Sequence, residues 1–120
     1  MDIESLRLYC LKKEFTDEAF PFDENTLVLR VFGKMFVLTD IAEHPLRINL
    51  KCDPEEVIEL QEKYDSVLPG YHMNKKYWIT VILDNSISDK ELYSWIDNSY
   101  NQVLMKVAKK DKDKFLQNIK

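Results

Sequence analysis

Residues Leu68 to Val81 read Leu-Pro-Gly-Tyr-His-Met-Asn-Lys-Lys-Tyr-Trp-Ile-Thr-Val. Pro69-Gly70 closes whatever precedes it. Tyr71–Met73 and Lys76–Leu83 then read as two antiparallel strands about a two-residue Asn74-Lys75 turn, where Asn tolerates the left-handed backbone. In that register Met73 faces Lys76, His72 faces Tyr77 and Tyr71 faces Trp78. Side chains alternate across a strand. Tyr77, Ile79, Val81 and Leu83 therefore share an apolar, core-facing side. Lys76, Trp78, Thr80 and Ile82 share the other, a mixture of cation, indole and hydroxyl suited to a binding face. A plainer reading packs Trp78 beneath a helix and leaves Lys75 and Lys76 as solvated turn residues.

Working outward, Asp2 caps a helix from Ile3 to about Lys13, with Ile3, Leu6 and Cys10 at helical spacing. Thr16-Asp17-Glu18 reads as loop, and Phe20-Pro21-Phe22 as an extended piece that Pro21 confines to an edge. Thr26–Val31 and Met35–Thr39 form a hairpin about Phe32-Gly33-Lys34, with Gly33 supplying the permissive backbone. Arg47-Ile48-Asn49-Leu50-Lys51 alternates strictly, as a half-buried strand does. Asp53-Pro54-Glu55-Glu56 opens a helix reaching about Tyr64, with Asp53 as cap and Glu56 closing a capping-box-like arrangement. Ser88-Asp89-Lys90-Glu91 is a capping box that starts a long helix running to at least Ala108. The order is helix, three strands, helix, two strands, helix. This is an α+β domain: a mainly antiparallel five-stranded sheet with helices on one face and the other face available to a partner.

The chain has 120 residues, enough for one domain with its own core. With two glycines and four prolines it offers no linker, so residues 1–108 read as a single domain and 109–120 as a charged tail. Phe115, Leu116 and Ile119 suit docking of that tail. No apolar run approaches a membrane span, and the N-terminus lacks signal-peptide character, which predicts a cytoplasmic protein. Cys10 and Cys52 read as free, buried thiols. Residues 1–70 hold 8 basic against 15 acidic side chains and residues 71–120 hold 9 against 6. A molecule of net charge −4 thus carries a locally basic C-terminal part.

No catalytic constellation is visible. His44 and His72 have no partner at ligand spacing, no Cys–His cluster suits zinc, and no glycine-rich loop cradles phosphate. Glu55, Glu56, Glu59 and Glu62 read as a solvated helix face. No metal, no cofactor and no enzymatic activity are expected. Lysines beside aromatic rings can hold phosphate while a ring stacks or wedges. Gly33-Lys34 makes a second basic tip, so the two hairpins suggest paired wings.

Phe20-Pro21-Phe22, Gly33-Lys34-Met35-Phe36, Asn49-Leu50-Lys51-Cys52-Asp53-Pro54 and Pro69 to Val81 resemble the MmcQ/YjbR family of small bacterial proteins. The likeness runs from about residue 1 to 108. Tyr77 departs from it, standing where many members carry His. The resemblance implies a two-layer domain like that of secretion chaperones. It also implies DNA binding by a double wing, carried here onto Lys34, Tyr71, His72, Asn74, Lys75, Lys76 and Trp78. With a sequence pI of about 5.2, such binding is expected to be weak and salt-sensitive. The alternatives are a protein-interaction module using the open sheet face, acting as monomer or weak dimer, and a small-molecule site around His72, Asn74 and Trp78. The latter requires a concave pocket with convergent polar groups.

Overall fold

A computed structural model describes residues 1–71 and 73–118. The elements are α1 (Ile3–Leu11), β1 (Thr16–Ala19), β2 (Thr26–Val31), β3 (Lys34–Asp40), β4 (Arg47–Lys51), α2 (Pro54–Lys63), β5 (Val67–Pro69), β6 (Trp78–Ile82), α3 (Asp89–Met105) and α4 (Lys109–Asn118). The strands form one antiparallel sheet in the order β1-β2-β3-β4-β6-β5. The expected α+β class holds, with six strands in place of five. No helix among the described residues is long and apolar enough to cross a membrane.

The extra strand is β1, which sequence patterning assigned to loop. Its charges have partners across and above the sheet. Arg30, directly opposite Asp17, donates Nε to Oδ1 at 2.9 Å and Nη2 to Oδ2 at 2.7 Å. Arg7 of α1 grips both oxygens of Glu18. Opposite charges at paired positions stabilise an edge strand whose side chains look unsuited to one.

The β2–β3 connection turns on Phe32 (φ 49°) and Gly33 (φ 79°), both left-handed, as a two-residue turn matched to strand twist requires. A phenylalanine there is strained. Its ring is held by Phe15, stacked at 4.5 Å, and by the edge of Phe115 from α4 at 5.4 Å. Just beyond, Leu29 pairs with Val37 and Arg30 with Met35, so Phe36 is the extra residue of a bulge. Phe36 and Val37 consequently both point into the core.

The helices lie on one face. Leu92, Ile96, Ser99, Tyr100 and Val103 of α3 pack against Leu29, Val37, Ile48, Leu50, Ile79 and Val81. Asp2 and Ser88 cap α1 and α3 as expected, accepting from the amides of Ser5 and Glu91. Asp53 precedes α2 but makes no side-chain cap bond, and Glu56 instead accepts from Asn98. The long helix ends at Met105 rather than Ala108. Lys106 and Val107 close tight turns onto Val103 and Leu104, and the chain restarts as α4.

The decisive departure lies in residues 68–81. The strand is Val67–Pro69, not Tyr71–Met73, and Val67 pairs with Val81, Leu68 with Thr80 and Pro69 with Ile79. Pro69 is tolerated because β5 is an edge. No two-residue turn forms at Asn74-Lys75. Between Gly70 and Tyr77 the described residues form no strand; Met73 N–H bonds Gly70 O, and Tyr77 and Trp78 N–H both bond Asn74 O. His72 and Ile119 lie outside the described residues, and so does the expected His72–Tyr77 pairing.

Close packing at Gly70 explains this glycine. A Cβ there would stand 2.7 Å from Trp78 Cβ and 2.8 Å from Trp78 O. Gly70→Ala is expected to lower stability by roughly 1–3 kcal/mol in chemical denaturation, as overpacking does. Burial pushes the thiols of Cys10 and Cys52 up to about 12. Neither thiol should react with a disulfide reagent at neutral pH until the chain is unfolded, when both should.

Candidate functional site: the open face of the sheet

The sheet face away from the helices carries the alternate residues of every strand. On β4 these are Arg47, Asn49 and Lys51, and on β6 Trp78, Thr80 and Ile82. Trp78 is buried, 9% exposed, in a small cluster with Val28 and Leu38, flanked by Met35, Met73 and Tyr77. The expectation of an indole reaching into water is therefore corrected. The ring lies on the predicted face, but the 70–77 loop folds back over that face and Met73 packs against its cluster.

Beside this cluster the face holds a cavity of about 930 Å³. Its floor includes Leu38, Asn49 and Thr80, and its walls come from the loops at either edge, Phe22-Asp23 on one side and Tyr71, Met73 and Asn74 on the other. Glu43 and Arg47 close one end. Phe22 and Tyr71 are 63% and 68% exposed, so two aromatic rims stand in solvent around a polar floor.

A hydrogen-bonded chain fixes that floor. Thr80, only 2% exposed, donates Oγ1 to Asn49 Oδ1 at 2.6 Å, and Asn49 Nδ2 donates to Leu38 O at 3.3 Å. Tyr71 N–H donates to Thr80 Oγ1 at 3.0 Å, which ties the loop to the sheet. Asn74 Oδ1 accepts from Lys76 N–H, so its side chain shapes the loop as well as lining the cavity.

Three carboxylates and one guanidinium line the cavity. Asp23 is held below its ordinary value chiefly by the amides of Thr26 and Asn25. Asp40 accepts from Ala42 N–H. Arg47 Nε stands 3.0 Å from Glu43 Oε1, within ion-pair range but too poorly aligned for a directed hydrogen bond, so this solvent-sealed nitrogen is unsatisfied.

The sequence-predicted residues divide. Tyr71 and Asn74 line the cavity. Lys75 and Lys76 are exposed on the same loop. Lys34 stands at the β2–β3 turn, 3.8 Å from Asp111 of α4, and is partly neutralised there. Lys34 thus has a carboxylate neighbour at its hairpin tip, whereas among the described residues Lys75 and Lys76 have none in an ion pair. Thr80 was assigned from sequence to the binding face, whereas Phe22, Asp23, Asp40, Glu43, Arg47 and Asn49 were not proposed as site residues. Only the alternation of residues 47–51 carried a signal for Arg47 and Asn49. Breaking the floor by Thr80→Val removes the bonds that Thr80 Oγ1 donates to Asn49 Oδ1 and accepts from Tyr71 N–H. The expected cost is about 1–3 kcal/mol, with faster hydrogen exchange at Tyr71.

A family model described as YjbR matches residues 11–102. The chain is 37% identical over 108 residues to YbdF of Escherichia coli O157:H7, covering 90% of this chain and 88% of that protein. It is 31% identical over 104 residues to YjbR of Escherichia coli strain K12, covering 87% and 88%. Both relatives are named as uncharacterized proteins. The crystal structure of Deinococcus radiodurans protein DR2400, a DUF419 domain, superimposes with a TM-score of 0.86 at 39% identity, covering 95% of this chain and 87% of that one. A Pseudomonas syringae protein superimposes with a TM-score of 0.73 at 30% identity, covering 85% and 98%.

Proposed function

This chain belongs to the YjbR family, and on that premise we propose that it is a non-enzymatic binding module whose open sheet face takes an extended, basic segment of a partner protein. The observation that carries the reading is the cavity of about 930 Å³ on the face no helix covers. Its rims are two exposed aromatic rings, the anchor type favoured at interfaces. Met35 and Met73 supply flexible apolar surface that adapts to varied side chains. Asp23, Asp40 and Glu43 outnumber Arg47, so the lining attracts lysine or arginine and repels phosphate. The compartment that goes with this reading is the cytoplasm, supported by two free buried thiols.

A second reading, weak and salt-sensitive DNA contact, is supported by the exposed Lys75 and Lys76. It has lost the indole wedge, because Trp78 is buried. Its Lys34 also has Asp111 as a neighbour at 3.8 Å.

Calorimetric titration with an alternating Lys/Leu peptide and its Glu/Leu counterpart separates the two. Binding of the basic peptide alone is expected, with Phe22→Ala and Tyr71→Ala each weakening it about tenfold at unchanged melting temperature. Equal binding of the acidic peptide, or no effect of either substitution, overturns the groove reading. Duplex DNA binding abolished by Lys75→Glu with Lys76→Glu supports the second.

A further inference from the structure

At the opposite end of the open face, like charges converge. Lys51 pairs across the ladder with Trp78, so its side chain lies at the end of β4 remote from Arg47. Tyr77, next in the chain, bonds its carbonyl to Cys52 N–H at 2.7 Å, which brings its ring beside the end of β4. Lys76 Nζ and Lys106 Nζ each stand 5.5 Å from the Tyr77 ring centroid. Burial, and then the charge of Lys106, hold the Lys51 ammonium below its ordinary value. Among the described residues none of these three lysines has a carboxylate in an ion pair. The C-terminus of α3, where Lys106 is the cap, offers only about half a negative charge against three positive ones.

Two ammonium groups flank one ring and a third feels the charge of Lys106; holding them there with no carboxylate in an ion pair costs free energy, and a bound anion relieves that cost. We infer that Lys51, Lys76 and Lys106 form, with Tyr77, a site for the phosphate group of a small phosphorylated molecule. Lysines bind phosphate as point charges, and three of them match the two to three negative charges of a phosphomonoester or pyrophosphate. A long polyanion is disfavoured, since the whole chain is at −4 and the same sheet face carries Asp23, Asp40 and Glu43 further along. The site does not rest on the peptide reading of the groove and shares none of its proposed anchors.

The test is calorimetric titration of the intact chain at low salt with inorganic phosphate, pyrophosphate and a random DNA duplex. Saturable pyrophosphate binding is expected, weakened about tenfold by Lys76→Gln and about tenfold by Lys106→Gln, both exposed positions. Lys90→Gln, at the far end of α3, should leave it unchanged. Lys51→Met probes the half-buried member, with its melting curve recorded alongside, and is expected to weaken pyrophosphate binding while the chain stays folded. Absence of saturable phosphate or pyrophosphate binding overturns the inference. So does affinity indifferent to the Lys76 and Lys106 substitutions, or binding confined to the duplex. Loss of peptide binding in the Phe22 and Tyr71 variants leaves it untouched.

Discussion

Everything on the open face follows from where α3 is pinned, and the pin is Ser99. Its hydroxyl is fully buried, donates to Phe36 O at 2.6 Å and accepts from Lys51 N–H at 2.9 Å. The paired register of β3 and β4 begins at Val37 and Leu50, and the bulge turns Phe36 inward just before it. Strand groups that would otherwise face each other are bridged by a side chain from the helix. An unpaired buried amide or carbonyl costs about 1–3 kcal/mol, so one hydroxyl both heals the ladder and fixes the helix over it. Tyr100, the next residue, locks the same turn by donating to Glu14 O and meeting Phe36 edge-on at 5.4 Å. With α1, α2 and α3 committed to this side, the alternate side chains of every strand are left for the other.

Much of this was legible in the sequence because its signals are local. The caps at Asp2 and Ser88, the helical start at Asp53-Pro54 and the alternation of residues 47–51 each depend on a few adjacent residues, and the elements they announce are present. What was illegible depends on partners distant along the chain. Thr16–Ala19 is a strand because Arg30 and Arg7 neutralise Asp17 and Glu18. Val67–Pro69 displaces Tyr71–Met73 because Pro69 suits an edge and Gly70 must pass close against Trp78. Phe32 adopts a left-handed backbone, held by a stack on Phe15 and the edge of Phe115.

The candidate site was half legible for the same reason. The 70–77 connection contributes Tyr71 and Asn74, expected from the family resemblance as nucleic-acid contacts, to the cavity wall. The opposite wall comes from Phe22 and Asp23, about fifty residues earlier, brought in by the pairing of Thr26 with Asp40. No spacing rule connects those two segments. Assigning Trp78 to the open face was correct, but facing away from the helices is not the same as facing water. The connection between β5 and β6 is long enough to cover an indole, and Met73 and Tyr77 pack there.

The two ends of the open face pose separable electrostatic problems. Strand register puts Asp40 and Arg47, with Asp23 and Glu43, at one end, and Lys51 beside Trp78 at the other. Arg47 to Lys51 spans four steps of strand, about 13 Å at roughly 3.3 Å each. That exceeds the screening length of about 8 Å at physiological ionic strength. A cationic segment drawn to the carboxylates and an anion drawn to the lysines therefore interact weakly under those conditions. At about 0.01 M salt, where screening extends to roughly 30 Å, each should favour the other, because the bound charges are opposite and lie along one strand. A single ligand with its own charge polarity, basic towards Asp40 and anionic towards Lys51, would satisfy both ends at once. Where both proposals hold, the sign of each end sets the orientation in which such a ligand lies.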